Sequence, residues 1–387
     1  YQLHGGEDVA FEQEVQLLRR YGHQVVVYQR SNAEIQDFSA LRRLGLAKRA
    51  VWASDSYEEI SCLIRKETPE LVHVHNTLLM ISPSIYSACR EMGVPVVQTL
   101  HNYRLLCPGA NLTRNGRPCE LCMSGTLLHG VIHACYRDSH TSTAVVAAML
   151  AAHRMRQTWS KMVDCYIALS NFAAKKFIEG GLPAHKLTVK PNFVDRDPGV
   201  RRDSGHCAVY VGRLSAEKGL DTLLQSWKHV KSRVPLLIIG DGPLREGLSA
   251  EFQGDSRVTF RGSLPRAEVL VALKGARFLV VPSRCYENFP MSIAEAYACG
   301  VPVITSDMGA MRELVAHGRT GLLFRPGDAE HLAESVDWAW SHPCDLEYMG
   351  NKCRAEFRLK YSAERNYELL MESYERVISR RPLALTA

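Results

Sequence analysis

Two carboxylates eight residues apart, Glu287 and Glu295, lie in Tyr286-Glu287-Asn288-Phe289-Pro290-Met291-Ser292-Ile293-Ala294-Glu295. Such groups accept hydrogen bonds from hydroxyls, and the spacing sets a loop and one helical turn between them. The backbone N–H groups that open a helix have no partner within it and hold anions. A phosphate with a polyol on each side satisfies all these features, which describes a nucleotide-sugar. Two cations can take the phosphate charge: Arg213 and Lys218, in Val211-Gly212-Arg213-Leu214-Ser215-Ala216-Glu217-Lys218-Gly219. Fixed cations near a helix N-terminus neutralise a diphosphate without a divalent metal. No Asp-x-Asp pair is positioned beside them, so no cofactor is expected for catalysis. Taken singly, Arg213 and Lys218 read as surface charges on a loop. With the glutamate pair they read as a diphosphate site.

The elements that position these residues must be strands feeding helices. Residues 278–281 read as a buried parallel strand, stopped by Pro282. Residues 292–299 carry a helical pattern that Gly300 ends. This order sets Glu287 at the carboxyl edge of a parallel sheet, where open α/β folds bind ligands. Further strands are expected at 207–211, 236–239, 258–260 and 301–305, each followed by a tight turn and a helix. The first half alternates likewise, with strands at 71–75, 95–101, 165–169 and 187–191 and helices at 57–67, 84–92 and 173–178. A strand is also expected at 23–28, after a helix that opens behind Gly5-Gly6. A glycine loop there wants a strand before it, so a first strand is expected to be missing and the chain to be a fragment. The fold class expected is α/β with two doubly wound, Rossmann-like domains facing a central cleft. The domains are set at 1–192 and 193–361, with a linker over 192–206 and a last helix within 362–387.

At 387 residues with 46% hydrophobic side chains, two cores are affordable. A formal charge of +6 is mild and dispersed, which argues against a nucleic-acid partner. It suits an anionic donor, or peripheral contact with an acidic membrane face. No apolar run reaches the ~18 residues of a membrane span. The longest, 144–152, reads as a packed helix face; the other reading is a lipid-touching surface helix, given His153, Arg154 and Arg156 after it. Most of the twelve cysteines are scattered singly in apolar segments, the pattern of a reducing cytosol.

The exceptions are Cys107, Cys119, Cys122 and Cys135, all within an excursion over 102–138. A Cys-x2-Cys pair flanked by two more thiols fits a structural zinc site; buried thiols or a disulfide fit equally. His129 and His133 are spare ligands.

These residues carry a family resemblance. Arg213 to Gly219, Gly240-Asp241-Gly242-Pro243, Glu287 to Glu295 and Gly300-Val301-Pro302-Val303 resemble the retaining GT-B glycosyltransferases of family 4, in their bacterial form. Gly5-Gly6-Glu7, His101, Pro191-Asn192 and Thr320-Gly321-Leu322-Leu323-Phe324 are similar to them too, so the likeness spans nearly the whole chain. It implies Glu295 on the ribose hydroxyls, Glu287 on the transferred sugar, and Arg213 and Lys218 on the diphosphate. Backbone amides near Phe289, Met291 and Ser292 would join them, and the base would lie near Gly262 and Leu264. Gly5 and Gly6 would let the backbone approach the phosphate and acceptor. His101 would face the reacting sugar, although a strand-end histidine also reads as core. The resemblance further implies front-face attack with retention, and a glycan or lipid-linked acceptor in envelope or exopolysaccharide synthesis. Ala310 after Gly309 departs from the family pattern. A nucleotide-sugar epimerase of the same architecture is one alternative. A zinc or cysteine interaction module is another, and it leaves the C-terminal motifs unexplained.

Overall fold

The computed structural model describes residues 6–31, 45–78 and 80–379. They divide into two compact units. The first takes the described residues up to Leu112, then Cys119–Lys190 and those from Tyr367 onward; the second takes Thr113–Pro118 and Pro191–Asn366.

In the first unit β1 (Val72–Val74) and β2 (Val96–Leu100) precede the excursion. The excursion carries a short antiparallel hairpin, β3 (Thr113–Arg114) and β4 (Arg117–Pro118), that belongs with the second unit. After it come β5 (Cys165–Ala168) and β6 (Leu187–Val189), giving a parallel sheet of order β1-β2-β5-β6. The helix Gly6–Arg20 has Glu7 and Asp8 in its first turn and Arg19 and Arg20 in its last, which complements its dipole. Its buried face is Ala10, Gln13, Glu14, Leu17 and Leu18. The helix Ala363–Ile378 brings Leu370, Tyr374 and Val377, at helical spacing, onto Leu18, Val97, Cys165 and Ile167.

One expectation changes here. Residues 23–31 join no ladder among the described residues, and Val26 and Val27 are 46% and 39% exposed. β-branched residues favour extended backbone, but a strand also needs a partner and a face to bury. The expectation about what precedes the glycine loop, and Gly5 itself, lie outside the described residues. The run 144–152 sits within the helix His140–Met155, whose N-cap Ser139 accepts from the Ser142 N–H. Its packed-face reading holds, because the basic residues after it are engaged. His153 is buried and bonds Thr158 Oγ1 at 2.9 Å and the Val51 carbonyl at 2.8 Å. Arg154 donates to the Leu105 and Leu106 carbonyls at 3.2 Å. No described helix is long and apolar enough to cross a membrane.

The second unit has six parallel strands: β7 (Cys207–Val211), β8 (Leu236–Ile239), β9 (Val258–Gly262), β10 (Ala276–Val281), β11 (Val303–Ser306) and β12 (Gly321–Phe324). Their order is β12-β11-β10-β7-β8-β9. The chain moves outward from β7 to β9, crosses back to β10 beside β7, and moves outward the other way. That reversal is the switch point where open α/β sheets bind ligands. Trp227, Phe278 and Phe324 are fully buried in the core beneath, and Trp227 Nε1 donates to the Val234 carbonyl at 3.0 Å.

Candidate active site

Gly5 and Gly6 apart, the donor-side residues named from the sequence lie at strand ends of the second unit, in the loops after them or in the first turns of the next helix. Arg213 and Lys218 follow β7, while Glu287 follows β10, so they flank the switch point. Gly219 makes the approach of the two loops feasible. Its φ is +69°, and a Cβ there would sit 1.9 Å from the Pro282 carbonyl oxygen. Lys218 Nζ then reaches both oxygens of Glu287, at 2.7 and 2.9 Å. Ser283 Oγ donates to Glu287 Oε1 at 2.6 Å. Burial raises the Glu287 carboxyl; the Lys218 ammonium, together with the Ser283 and Cys285 hydrogen bonds, outweighs it and holds the group below its ordinary value. The same pairing outweighs burial at Lys218 and raises its ammonium. The Arg213 side chain is exposed and pairs with no described side chain. Its carbonyl accepts from Tyr210 Oη at 2.8 Å, which fixes the loop.

The helix Met291–Ala298 opens at Pro290, with no side chain capping its N–H groups. By contrast Asp328 caps the helix Ala329–Ser341 from within the same unit. The opening turn at Met291 and Ser292, with buried Phe289 before it, can therefore donate to an external acceptor. Asn288 Oδ1 is buried and has no hydrogen-bond partner among the described residues, so it can take a hydroxyl. Glu295 faces Arg266, whose Nε lies 3.1 Å from Oε1. Burial raises the Glu295 carboxyl and Arg266 only partly offsets this. Gly262 ends β9 with φ +70°, and its carbonyl accepts from the Gly240 N–H at 2.8 Å. Leu264 follows, half-buried. Ala310 is buried in the helix Gly309–Leu314, behind Gly309 at φ +56°.

In the first unit a second polar group lines a sheet edge. His75 and Asn76 follow β1, His101 and Asn102 follow β2, and Glu7 stands in the first turn of the helix Gly6–Arg20. Asn102 Nδ2 donates to Glu7 Oε2 at 3.2 Å, and His75 Nδ1 lies 2.8 Å from His101 Nε2. Burial, reinforced by His75, drives the His101 imidazole well below its ordinary value, so it is neutral at physiological pH. Gly6 is the first described residue and opens this helix.

Spacing did not reveal Arg266, Asn288 or His75. A lone arginine opening the helix Arg266–Lys274 carries no pattern. The His73-Val74-His75 alternation did carry one, since i and i+2 of a strand share a face. The four excursion thiols share a neighbourhood but not a ligand sphere. Burial pushes the Cys122 thiol up to about 11, with Cys107, Cys135 and Cys119 adding to it. Among the described residues no three of these sulfurs gather within 4.8 Å.

A family model described as Glycosyltransferase Family 4 matches residues 4–198, and one described as Glycosyl transferases group 1 matches residues 205–342. The chain is 23% identical to the sulfoquinovosyl transferase SQD2 of Arabidopsis thaliana over 373 residues, 89% of this chain and 66% of that protein. It is 36% identical to the glycogen synthase of Mycobacterium tuberculosis over 286 residues, 70% of this chain and 60% of that protein. The chain thus spans less than two thirds of the length of these two relatives. Its fold is similar to that of Anabaena HepE, solved in complex with UDP: TM-score 0.66, 16% identity, 97% of this chain and 98% of that one. The fold class is accordingly GT-B, with two Rossmann-like units.

Proposed function

The chain belongs to glycosyltransferase family 4, and from that premise we propose that it transfers a sugar from a nucleotide-diphosphate donor to a glycan or lipid-linked acceptor. The observation that carries this reading is the Lys218–Glu287 pair bridging the β7 and β10 loops at the switch point. Arg213, Lys218 and the uncapped helix at Met291 supply the positive field for a diphosphate; Glu295 and Glu287 supply acceptors for hydroxyls on either side of it. Lys218 is paired with Glu287 and Arg266 with Glu295, so Arg213 is the site cation that has no carboxylate partner among the described residues and can meet an anionic ligand without a divalent metal.

The proposed reaction proceeds with retention. The acceptor oxygen bonds to the anomeric carbon on the face the diphosphate leaves, and the departing diphosphate oxygen takes the acceptor proton. Arg213 and Lys218 stabilise the charge that develops there, and His101 accepts a hydrogen bond from a sugar hydroxyl. Twelve free thiols support a cytoplasmic location. An acceptor made for the envelope or an exopolysaccharide would place the enzyme peripherally at the inner membrane face.

A thermal-shift series with UDP, GDP, ADP and their sugars, with and without chelator, tests the donor reading. Nucleotide at about 100 times its Kd adds ~2.7 kcal/mol of stability, several degrees in Tm. One nucleotide class should shift the protein, chelator or not; no shift with any class ends the proposal. Release of free nucleotide only when acceptor is present separates transfer from epimerisation.

Structural zinc on Cys107, Cys119, Cys122 and Cys135 is proposed separately, on the strength of their spacing. Binding would require the thiol side chains to turn toward one another. Metal analysis of protein purified without chelator is expected to give about one zinc per chain, lost on replacing Cys119 and Cys122 with serine. A value near zero assigns them as buried thiols.

A further inference from the structure

The first unit holds a buried set of ionisable groups that the proposed transfer does not use directly. Glu14 lies on the buried face of the helix Gly6–Arg20, with its side chain 6% exposed. Lys190, 2% exposed just past β6, sets its ammonium 2.7 Å from Glu14 Oε2. Glu14 Oε1 is buried without an aligned hydrogen bond and faces two imidazoles, His73 Nδ1 at 3.0 Å and His75 Nε2 at 3.4 Å. From the far side of His75, Nδ1 lies 2.8 Å from His101 Nε2. A line of close polar contacts therefore runs from Lys190 through Glu14 and His75 to His101, hydrogen-bonded at its two ends and electrostatic between Glu14 and His75.

We infer that Glu14, His75 and Lys190 are positioning residues that fix the tautomer of His101, leaving its Nδ1 bare to accept a hydrogen bond from a sugar hydroxyl. The derivation follows from which atoms have protons to give. A carboxylate only accepts, and its negative field, 3.4 Å from His75 Nε2, favours the proton on that nitrogen. A neutral His75 then has a bare Nδ1, which accepts from His101 Nε2–H. His101, neutral in turn, has its lone pair on Nδ1. Lys190 keeps Glu14 ionised: burial alone would raise that carboxyl, but the ammonium and His73 hold it well below its ordinary range. Because Glu14 and Lys190 cancel, the line presents little net charge to His101, and burial keeps its ring uncharged. His73 closes the set rather than extending it. Its Nε2 lies 2.8 Å from Thr99 Oγ1 and its Nδ1 2.7 Å from Tyr374 Oη. Burial pushes it down to about 4, so it too is neutral.

The same residues pose a rival. Glu14, His73 and His75 can bring one ligand atom each within 4.8 Å of the others, as a metal site would. The ammonium on Glu14 already supplies the positive charge that a metal would bring, so the fixed-tautomer reading is preferred. It rests on the proposed role of His101, and the experiment separates the two.

Histidine-labelled protein is followed by two-bond 1H–15N correlation between about pH 5.5 and 8, the range in which an ordinary imidazole titrates, with His101→Asn identifying the His101 signals. His101 should show the Nε2–H tautomer throughout, with no titration. Because a single change at Glu14 would strand a buried ammonium, the pair is replaced together as Glu14→Gln with Lys190→Met. That variant and His75→Phe should give mixed tautomers and a kcat lowered about 10–100-fold, with nucleotide affinity unchanged. His75→Gln keeps an acceptor for His101 and should restore most of the rate. An Nδ1–H or charged His101 in the parent protein overturns the inference. So does a stoichiometric metal that the double variant loses. If the tautomer is as stated but His101→Asn turns over normally, the role of His101 falls while the fixed tautomer stands.

Discussion

Glu295→Gln is expected to bind nucleotide about 100-fold more weakly while the ligand-free protein is no less stable. The two halves of this result have one cause. Hydrogen bonds to an ionised group contribute roughly 1.5–3 kcal/mol each. In the role proposed for Glu295, a carboxylate that accepts from two ribose hydroxyls supplies a large share of donor affinity. A 100-fold loss corresponds to about 2.8 kcal/mol. In the free protein the carboxylate is held against its preference. Burial raises it above its ordinary value, and Arg266 at 3.1 Å only partly offsets this. An acid whose folded pKa is raised gives its stability below the unfolded pKa and loses it as pH rises through the folded one. At neutral pH Glu295 is thus a cost to the fold, and removing its charge relieves it. Arg266 is 34% exposed and regains water when its partner goes. Calorimetric titration with nucleotide and a melting curve without it give the two readings. A variant that melts earlier and binds normally would make Glu295 a structural residue and take the ribose role from it.

How much of this was legible follows from where each residue sits. Lys218, Arg213 and Glu287 are on loops that leave strands, and a strand–turn–helix alternation is a strong local signal. The sheet order then brought those loops together, which a sequence of βα units implies once the order reverses at β7 and β10. Arg266 gave no signal, because its only mark is spatial: 29 residues from Glu295 in the chain, it reaches that carboxylate by packing. Glu14 was legible and passed over. It occupies a core-facing position of an amphipathic helix, where a charge demands a buried partner, and Lys190 provides it from 176 residues away. The 23–28 segment misled for the opposite reason. Its apolar run has the composition of a strand, but Val26 and Val27 find neither ladder nor core. The thiols mark a third limit, since spacing describes which side chains are available and not whether their sulfurs converge.

Replacing Lys218 with methionine should lower kcat about 1,000-fold, or roughly 4 kcal/mol in the barrier. In the proposed transfer the ammonium stabilises charge that appears only as the diphosphate departs, so the loss should fall on kcat more than on donor affinity. Stability should fall as well, because Glu287 is left as a buried charge. Lys218 is 29% exposed and Glu287 13%, so the pair lies between the surface and fully buried cases, and about 2 kcal/mol is expected. The pH dependence separates the two effects. The folded pKa of Glu287 is depressed, so its contribution is complete above the unfolded carboxyl value near ~4.3 and lost as pH falls through the folded one. That of Lys218 is raised, so its contribution is complete below ~10.4 and lost as pH rises beyond it. In the parent protein the pair therefore adds no slope to stability between those limits. In Lys218→Met, burial acts on Glu287 against only the Ser283 and Cys285 hydrogen bonds, its carboxyl rises, and an acid limb should enter the melting curve from the neutral side. Tm against pH from about 5 to 9, beside single-turnover rates, reads both at once. A flat Tm profile in the variant would mean that Glu287 is solvated without its lysine. A rate within tenfold of the parent would mean that Arg213 and the helix at Met291 carry the leaving-group charge on their own.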